Sequence, residues 1–335
     1  MIPLNIIPTG WYHIGWTAEL PPGGVKPLTY FGQELVAFRT RTGTLSVLDA
    51  FCSHLGAHLG YGGKVRDECI VCPYHGWQWN AQGENSLIPG QEETVRRPMR
   101  RWPVQEQDGM MFVWYDPRGG APRWALPNIF TCFPDDPADA ADFYPPYPHA
   151  TVDRPDEPFP VQYMLENAAD TAHFQFTHGA PLPPQLLSFS TDGYWEADMG
   201  FLSPKTKEIA LHVRAVKPNI GLSYTYFDGK APYRLVLSGT PIDARTCHMR
   251  VTYYLPRRPE SPDVMPADVL AFAASTHELY EEDARMWRHQ QFRQRPIFAR
   301  QDIKGYTAYR KWCEQFYEGP ATQMSVRFPE DALTA

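Results

Sequence analysis

Two short clusters constrain this chain more than anything else in it. Cys52-Ser53-His54 is followed, after seventeen intervening residues, by Cys72-Pro73-Tyr74-His75, a C-x-H and C-x-x-H pair. Two thiolates and two imidazoles at such spacings suit a metal held between two loops, so the fold must bring those loops tip to tip. Glycine follows closely in both, in His54-Leu55-Gly56 and His75-Gly76-Trp77, where backbone has to crowd a bound group. Six cysteines in 335 residues do not make a disulfide scaffold. Thirty-four prolines, about twice the usual share, disfavour a helical bundle and favour strands joined by rigid loops. The formal charge of −7 and pI near 5.9 offer no cationic field for nucleic acid. No apolar run approaches the roughly 18 residues of a membrane span. The opening MIPLNIIPTGW has no charged n-region and no cleavage site, so no leader is expected, and a soluble, cytoplasmic protein is.

Residues 1–120 read as short strands and turns, among them 28–40, 44–52 and 109–116, ending at the proline- and glycine-rich 117–123. A proline-rich connector covers 133–160. Residues 161–176 have helical spacing, strand-like stretches fill 193–256, and 267–291 is the longest helical pattern. The expectation is α+β: an all-β domain over 1–120, then an α+β domain over 121–335 with helices flanking an antiparallel sheet.

Zinc modules usually open with two or more residues between their first ligands, so the one-residue gap of Cys52-x-His54 fits zinc poorly. It fits a Rieske centre, in which two cysteines hold one iron of a [2Fe–2S] cluster and two histidines the other, each loop serving both irons. The stretch CSHLGAHLGYGG…CPYHGW resembles the cluster loops of the Rieske non-haem iron oxygenases. Cys52, His54, Cys72 and His75 are the ligands that the resemblance implies. High-potential Rieske proteins carry an added cysteine pair; Ala57 and Tyr74 stand at those positions here, as in the oxygenase type. Cys69 is read as a buried strand residue, Cys132, Cys247 and Cys313 as core or surface thiols, and His58 as a neighbour of the cluster.

A second constellation lies in 166–178, where Asp170, His173 and His178 follow Glu166 and Asn167. Asp170 and His173 are three apart and share a helix face. His173 and His178 are five apart, about 140° around a straight helix, and can meet at one metal only if the helix ends between them. Thr177, Gly179 and the prolines beyond supply such an ending. Two histidines with open positions suggest a non-haem Fe(II) facial triad, which needs a carboxylate. The 267–291 helix offers Glu278, Glu281, Glu282 and Asp283. Phe272, Leu279 and Met286 form an apolar stripe with Asp283 about 40° from its axis and Glu282 on the opposite margin, so phase alone leaves both open. The run EDARMW also resembles the family's last-ligand helix, in which the aspartate of E-D-x-x-x-W binds iron, and that likeness selects Asp283.

The resemblance extends to GWYHIGWTAEL, YFGQELVAFR and the tail YRKWCEQFY at 309–317. Relatives often show an aromatic and then aspartate after HGW, where this chain has QWN. It implies a helix-grip catalytic domain, a head-to-tail homotrimer, and electron transfer from the cluster of one subunit to the iron of the next. Asp170 would then be a bridge, hydrogen-bonded to His75 across the interface and touching His173, although Asp/His chemistry by itself allows it as a ligand. Asn167, one turn earlier, is placed to hydrogen-bond a ligand or water near the iron. The likeness is strongest to the oxygenase components of 3-ketosteroid 9α-hydroxylases and, beyond them, to cholesterol 7-desaturases. That implies a monooxygenase that uses O₂ on a large, apolar, polycyclic substrate. No G-x-G-x-x-G opens a helix, so NAD(P)H is expected to be oxidised on a separate flavin reductase, with or without a ferredoxin. The basic run 95–101 is either a solvated charge run or a surface steering an acidic donor. Three other readings share some of these residues: a natural-product N-oxygenase or desaturase with the same metal sites, a Rieske electron carrier without mononuclear iron, and a zinc-binding interaction protein.

Overall fold

The structure, a computed structural model, describes residues 2–300 and 302–317. It divides into two units. One is His13–Ala121; the other comprises the residues through Tyr12 together with Pro122 onward.

The first unit is built from short antiparallel strands. They are β1 (Gly10–Trp16, whose first residues belong to the other unit), β2 (Val25–Tyr30), β3 (Gln33–Arg39), β4 (Leu45–Asp49), β5 (Lys64–Arg66), β6 (Cys69–Val71), β7 (Gln78–Asn80), β8 (Asn85–Leu87), β9 (Arg101–Trp102), β10 (Val104–Gln107) and β11 (Met110–Tyr115). They form sheets in the orders β1-β11-β10, β2-β3-β4-β9 and β5-β6-β7-β8. The expected strand at 28–40 is a hairpin. Phe31 and Gly32 both take positive φ (58° and 72°), the two-residue turn whose twist matches its strands, and Leu28 pairs with Leu35. Val36, Phe38, Leu48, Leu59, Ile70 and Trp79 make an apolar core that includes the thiols of Cys52 and Cys72. Cys69 departs from expectation: it lies on β6 but is only half-buried, with Sγ 3.1 Å from the Ser86 hydroxyl.

The second unit contains β12 (Thr151–Glu157), helices α1 (Val161–Glu166) and α2 (His173–Phe176), and strands β13 (Gln185–Ser190), β14 (Trp195–Leu202), β15 (Ile209–Asn219), β16 (Leu222–Phe227), β17 (Tyr233–Pro241) and β18 (Cys247–Tyr254). Helices α3 (Ala267–Trp287) and α4 (Ile303–Cys313) follow. The seven strands form one antiparallel sheet in the order β12-β18-β17-β16-β15-β14-β13. This is the expected α+β plan, with a large antiparallel sheet and a long helix set against it through the edge-to-face pair Tyr233–Phe272.

Helix α3 buries a different face from the one its sequence suggests. Leu279 and Met286 are 42% and 55% exposed, whereas Val269, Ala273, Asp283, Ala284 and Trp287 are buried. At 100° per residue the buried face is rotated about 90° from the Phe272–Leu279–Met286 stripe, and Asp283 lies between the two. The small side chains of Ala273 and Ala284 permit close packing there, which outweighs the pull of the larger residues. The 161–176 segment is likewise not one helix. It runs as α1, a 3₁₀ turn (Asn167–Ala169), an extended Asp170 (ψ 109°) and the single turn α2.

Candidate active site

The two cluster loops share one backbone design. In the first, Cys52 N–H donates to Ala57 O (2.9 Å) and Gly56 N–H to Cys52 O (3.0 Å). In the second, Cys72 N–H donates to Trp77 O (2.8 Å) and Gly76 N–H to Cys72 O (3.0 Å). Gly56 and Gly76 close these turns at φ +74° and +73°, where a side chain is strained. The thiols are buried and the imidazoles exposed, their ring centroids 4.7 Å apart. His54 stacks on Trp77 at 4.4 Å with planes 4° apart. Burial raises the Cys52 thiol pKa, and the adjacent Cys72 adds to this; the Cys52 thiolate is favoured by His54 N–H and the Trp79 indole. That buried indole nitrogen has no other partner among the described residues, so it suits a cluster sulfur placed there.

Among the described residues no three donor atoms of the quartet lie within 4.8 Å of one another, as one tetrahedral ion would require. A thiol pair and an imidazole pair are instead what a two-iron cluster takes. His58 is otherwise engaged: Nδ1 accepts from Gly60 N–H, and Nε2 is 3.0 Å from Glu34 Oε2.

In the second unit, three donors do converge, one on α2, one in the turn that follows it and one on α3. His173 Nε2, His178 Nε2 and Asp283 Oδ1 are mutually close, with His178 3.1 Å and His173 4.0 Å from the carboxylate oxygen. The break at Asp170 makes this possible. Asp170 Oδ1 accepts from Ala172 and His173 N–H (3.1 and 3.3 Å), capping a helix of one turn. The chain leaves that turn through Gly179 at φ +64°, and Ala180 N–H returns to Phe174 O. The two imidazole planes stand 78° apart, with centroids separated by 5.3 Å.

Two of the donors are hydrogen-bonded from behind, and the third faces a carboxylate. Asn167 Nδ2 donates to Asp283 Oδ2 at 3.0 Å, and Glu282 Oε2 lies 2.8 Å from His178 Nδ1. His173 Nδ1 is buried and 3.6 Å from Asp170 Oδ1. Glu282, left open by helical phase, thus meets the outer nitrogen of His178, whereas Asp283 meets the inner one. Of the remaining acids, Glu281 and Glu157 pair with Arg288, and Glu166 with Arg310. Burial opposes the charge on Asp170, but hydrogen bonds and charge from His173, with the Tyr306 hydroxyl, outweigh it and lower its pKa. Tyr306 sits on α4, and nothing in the primary sequence links it to this site. For His178 burial favours the neutral ring, and Asp283 and Glu282 outweigh it, so its pKa is raised. Carboxylates behind inward-facing imidazoles are the arrangement of a metal site, and the donor set suits Fe(II) with open positions.

The triad opens on a cavity of about 130 Å³ walled by apolar side chains of the sheet, α1, α2 and α3, among them Met164, Phe174, Phe201, Val213, Leu237 and Trp287. Arg96, Arg97, Arg100 and Arg101 of the basic run are all exposed on the first unit.

Residues 10–103 match the Rieske [2Fe-2S] domain, and residues 113–317 match the 3-ketosteroid 9alpha-hydroxylase C-terminal domain. The chain is 27% identical over 349 residues to the 3-ketosteroid-9-alpha-monooxygenase oxygenase component of Rhodococcus rhodochrous, covering 97% of this chain and 89% of the relative. It is 26% identical over 357 residues to a cholesterol 7-desaturase of Ciona intestinalis, covering 96% and 71%. Among solved structures, dicamba monooxygenase bound to dicamba superposes with a TM-score of 0.69 at 18% identity, covering 95% of this chain and 98% of that one.

Proposed function

The chain belongs to the Rieske oxygenases whose C-terminal half is of the 3-ketosteroid 9α-hydroxylase family, and on that premise we propose that it is the terminal oxygenase of a multicomponent steroid monooxygenase. In this reading residues 1–120 carry the cluster on Cys52, Cys72, His54 and His75, and residues 121–335 carry Fe(II) on His173, His178 and Asp283. The chemistry supplied by these groups when bound is reductive activation of O₂, one oxygen atom entering a substrate C–H bond and the other leaving as water. The observation that carries the reading is the convergence of His173 Nε2, His178 Nε2 and Asp283 Oδ1 at an apolar cavity.

The chain's own side chains set the conditions. Glu282 accepts the Nδ1 proton of His178, which directs the Nε2 lone pair inward. Asp170, held ionised, stands 3.6 Å from His173 Nδ1, close enough to favour a proton on that nitrogen by charge, and in this reading it lies on the electron route from a neighbouring subunit's cluster in a homotrimer. Asn167 holds one oxygen of Asp283 and leaves the other facing the two imidazoles. Apolar walls exclude water from the reacting carbon. A cavity of about 130 Å³ is close to the roughly 150 Å³ that holds one benzene ring. A tetracyclic substrate therefore has to extend through the cavity opening or widen it. Electrons come from NAD(P)H through a separate flavin reductase or ferredoxin, docking by way of Arg96 and Arg97. The six thiols are all free, in keeping with a reducing, cytoplasmic setting. No helix among the described residues is long and apolar enough to cross a membrane.

Iron analysis of purified protein, with EPR and mass spectrometry of androst-4-ene-3,17-dione after turnover with a reductase, tests the assignment. Expected are three irons per chain, a Rieske signal and an oxygenated or desaturated steroid. Two irons with no turnover would make the chain an electron carrier, and a colourless zinc protein would overturn the reading at both sites.

A further inference from the structure

One charged side chain in the cavity wall takes no part in the iron site. Lys217 lies on β15 in register with Val213 and Ala215, the i, i+2, i+4 row facing the cavity. It is 3% exposed, and its Nζ donates to Leu165 O at 3.1 Å. No carboxylate among the described residues pairs with it. Glu166, next to its acceptor, is occupied by Arg310 at 2.8 and 3.0 Å. An ammonium carries three N–H donors; Leu165 O takes one and the Tyr309 ring lies 5.6 Å from Nζ, which still leaves the buried cation without an anionic partner, a costly state. The hydroxyls of Ser223 and Thr225, 3.3 Å apart on the adjoining strand, line the same wall. Ala215 pairs with Thr225; the register then shifts between Val216 and Asn219, and Lys217 and Ser223 both line the wall at this irregular end.

We propose that Lys217, with Ser223 on the same cavity wall, is an oxygen-binding subsite that anchors a carbonyl or hydroxyl group of an otherwise apolar substrate. The proposal rests on the cavity being the substrate cavity, and it adds a requirement that the triad does not impose. Burial lowers the Lys217 pKa to about 7, as expected for an ammonium without a counter-ion, so an acceptor supplied by a ligand also relieves a solvation deficit. A hydrogen bond to a charged donor in such a place separates otherwise matched ligands by about tenfold or more.

Equilibrium dialysis of the anaerobic, cluster- and iron-loaded protein tests this with a matched pair two rings in size, 2-tetralone and tetralin, which need far less room beyond the cavity than a tetracyclic substrate. Wild type is expected to bind the ketone about tenfold more tightly. Lys217→Met, which keeps the volume and removes the buried charge, is expected to bind both alike at the wild-type tetralin affinity. Equal affinity of wild type for the two ligands overturns the proposal whatever the variant does. So does a ketone preference that survives in Lys217→Met, or an equal loss of both ligands in that variant, which would mark Lys217 as a strut for α1. Androst-4-ene-3,17-dione in the same dialysis keeps the two readings apart: if it fails to bind while the tetralone preference depends on Lys217, the subsite stands and the steroid assignment falls.

Discussion

Substituting alanine for Glu282 and Asp283 in turn separates two neighbouring acids that touch opposite nitrogens of the same imidazole. Asp283 contributes Oδ1 to the common point of the triad, so Asp283→Ala removes one of three protein donors and the only charged one. Purified Asp283→Ala is expected to retain little mononuclear iron. Glu282 touches only His178 Nδ1, at 2.8 Å, and its side chain is 40% exposed against 10% for Asp283. Loss of such an outer partner typically weakens a metal site by about 10–100-fold, or about 1.4–2.7 kcal/mol. Water can replace much of the contact of a side chain this exposed, so Glu282→Ala is expected near the lower end, about tenfold. Competition with a graded Fe(II) chelator, read as iron per chain, measures both variants, and the visible absorbance of the cluster serves as an internal control for folding. Iron retained by Asp283→Ala but stripped from Glu282→Ala would reverse the two roles and refute the argument from geometry.

Cys52→Ser and His75→Ala should each abolish the Rieske EPR signal while residues 122–317 remain able to bind iron; a surviving signal would mean that the quartet is misassigned. Asp170→Asn should keep iron largely bound and slow reoxidation of a reduced cluster by O₂ and substrate, followed by stopped-flow absorbance. Co-assembly of chains disabled at His75 with chains disabled at Asp283 should restore some activity if electrons cross between subunits. In the first unit, Arg39 binds Glu106 through two hydrogen bonds of 2.8 and 2.6 Å; burial opposes the charge on Glu106, and Arg39 outweighs it and lowers its pKa. A depressed carboxylate stabilises the fold above its unfolded pKa near 4.5 and loses that contribution as pH falls through the folded value. Thermal melts of Glu106→Gln should therefore show less loss of stability than wild type between about pH 5 and 3, and parallel curves would show that the pair contributes nothing.

What was readable in advance was whatever rests on local spacing. Cys52-x-His54 and Cys72-x-x-His75 define two loops within a few residues each, and the turns that close on Gly56 and Gly76 follow from positions where φ must be positive. The need for a helix end between His173 and His178 was legible for the same reason, since five residues of straight helix cannot face one point. Local spacing could not place the break at Asp170, because 161–176 has no glycine or proline; the break comes from the carboxylate capping α2 in competition with the helix.

The face of α3 was decided elsewhere. Periodicity weighs side chains by hydrophobicity alone and selected Phe272, Leu279 and Met286, whereas packing selected small residues that allow close approach, rotating the helix by about 90°. Asp283 lies within reach of both faces, so helical phase left it and Glu282 open; the E-D-x-x-x-W likeness favoured Asp283, and the structure sets its carboxylate against His173 and His178, 110 and 105 residues earlier in the chain. Tyr306 and Lys217 belong to the same category: one comes from α4 and the other from β15, and neither sits in a motif. The sequence by itself determined the donor types and the two short-range constellations, because those depend on bond geometry over a few residues. Only the tertiary structure decided where Asp283 and Glu282 stand against His178, what lies behind each donor and what lines the cavity, because those depend on contacts between segments that are distant in the chain.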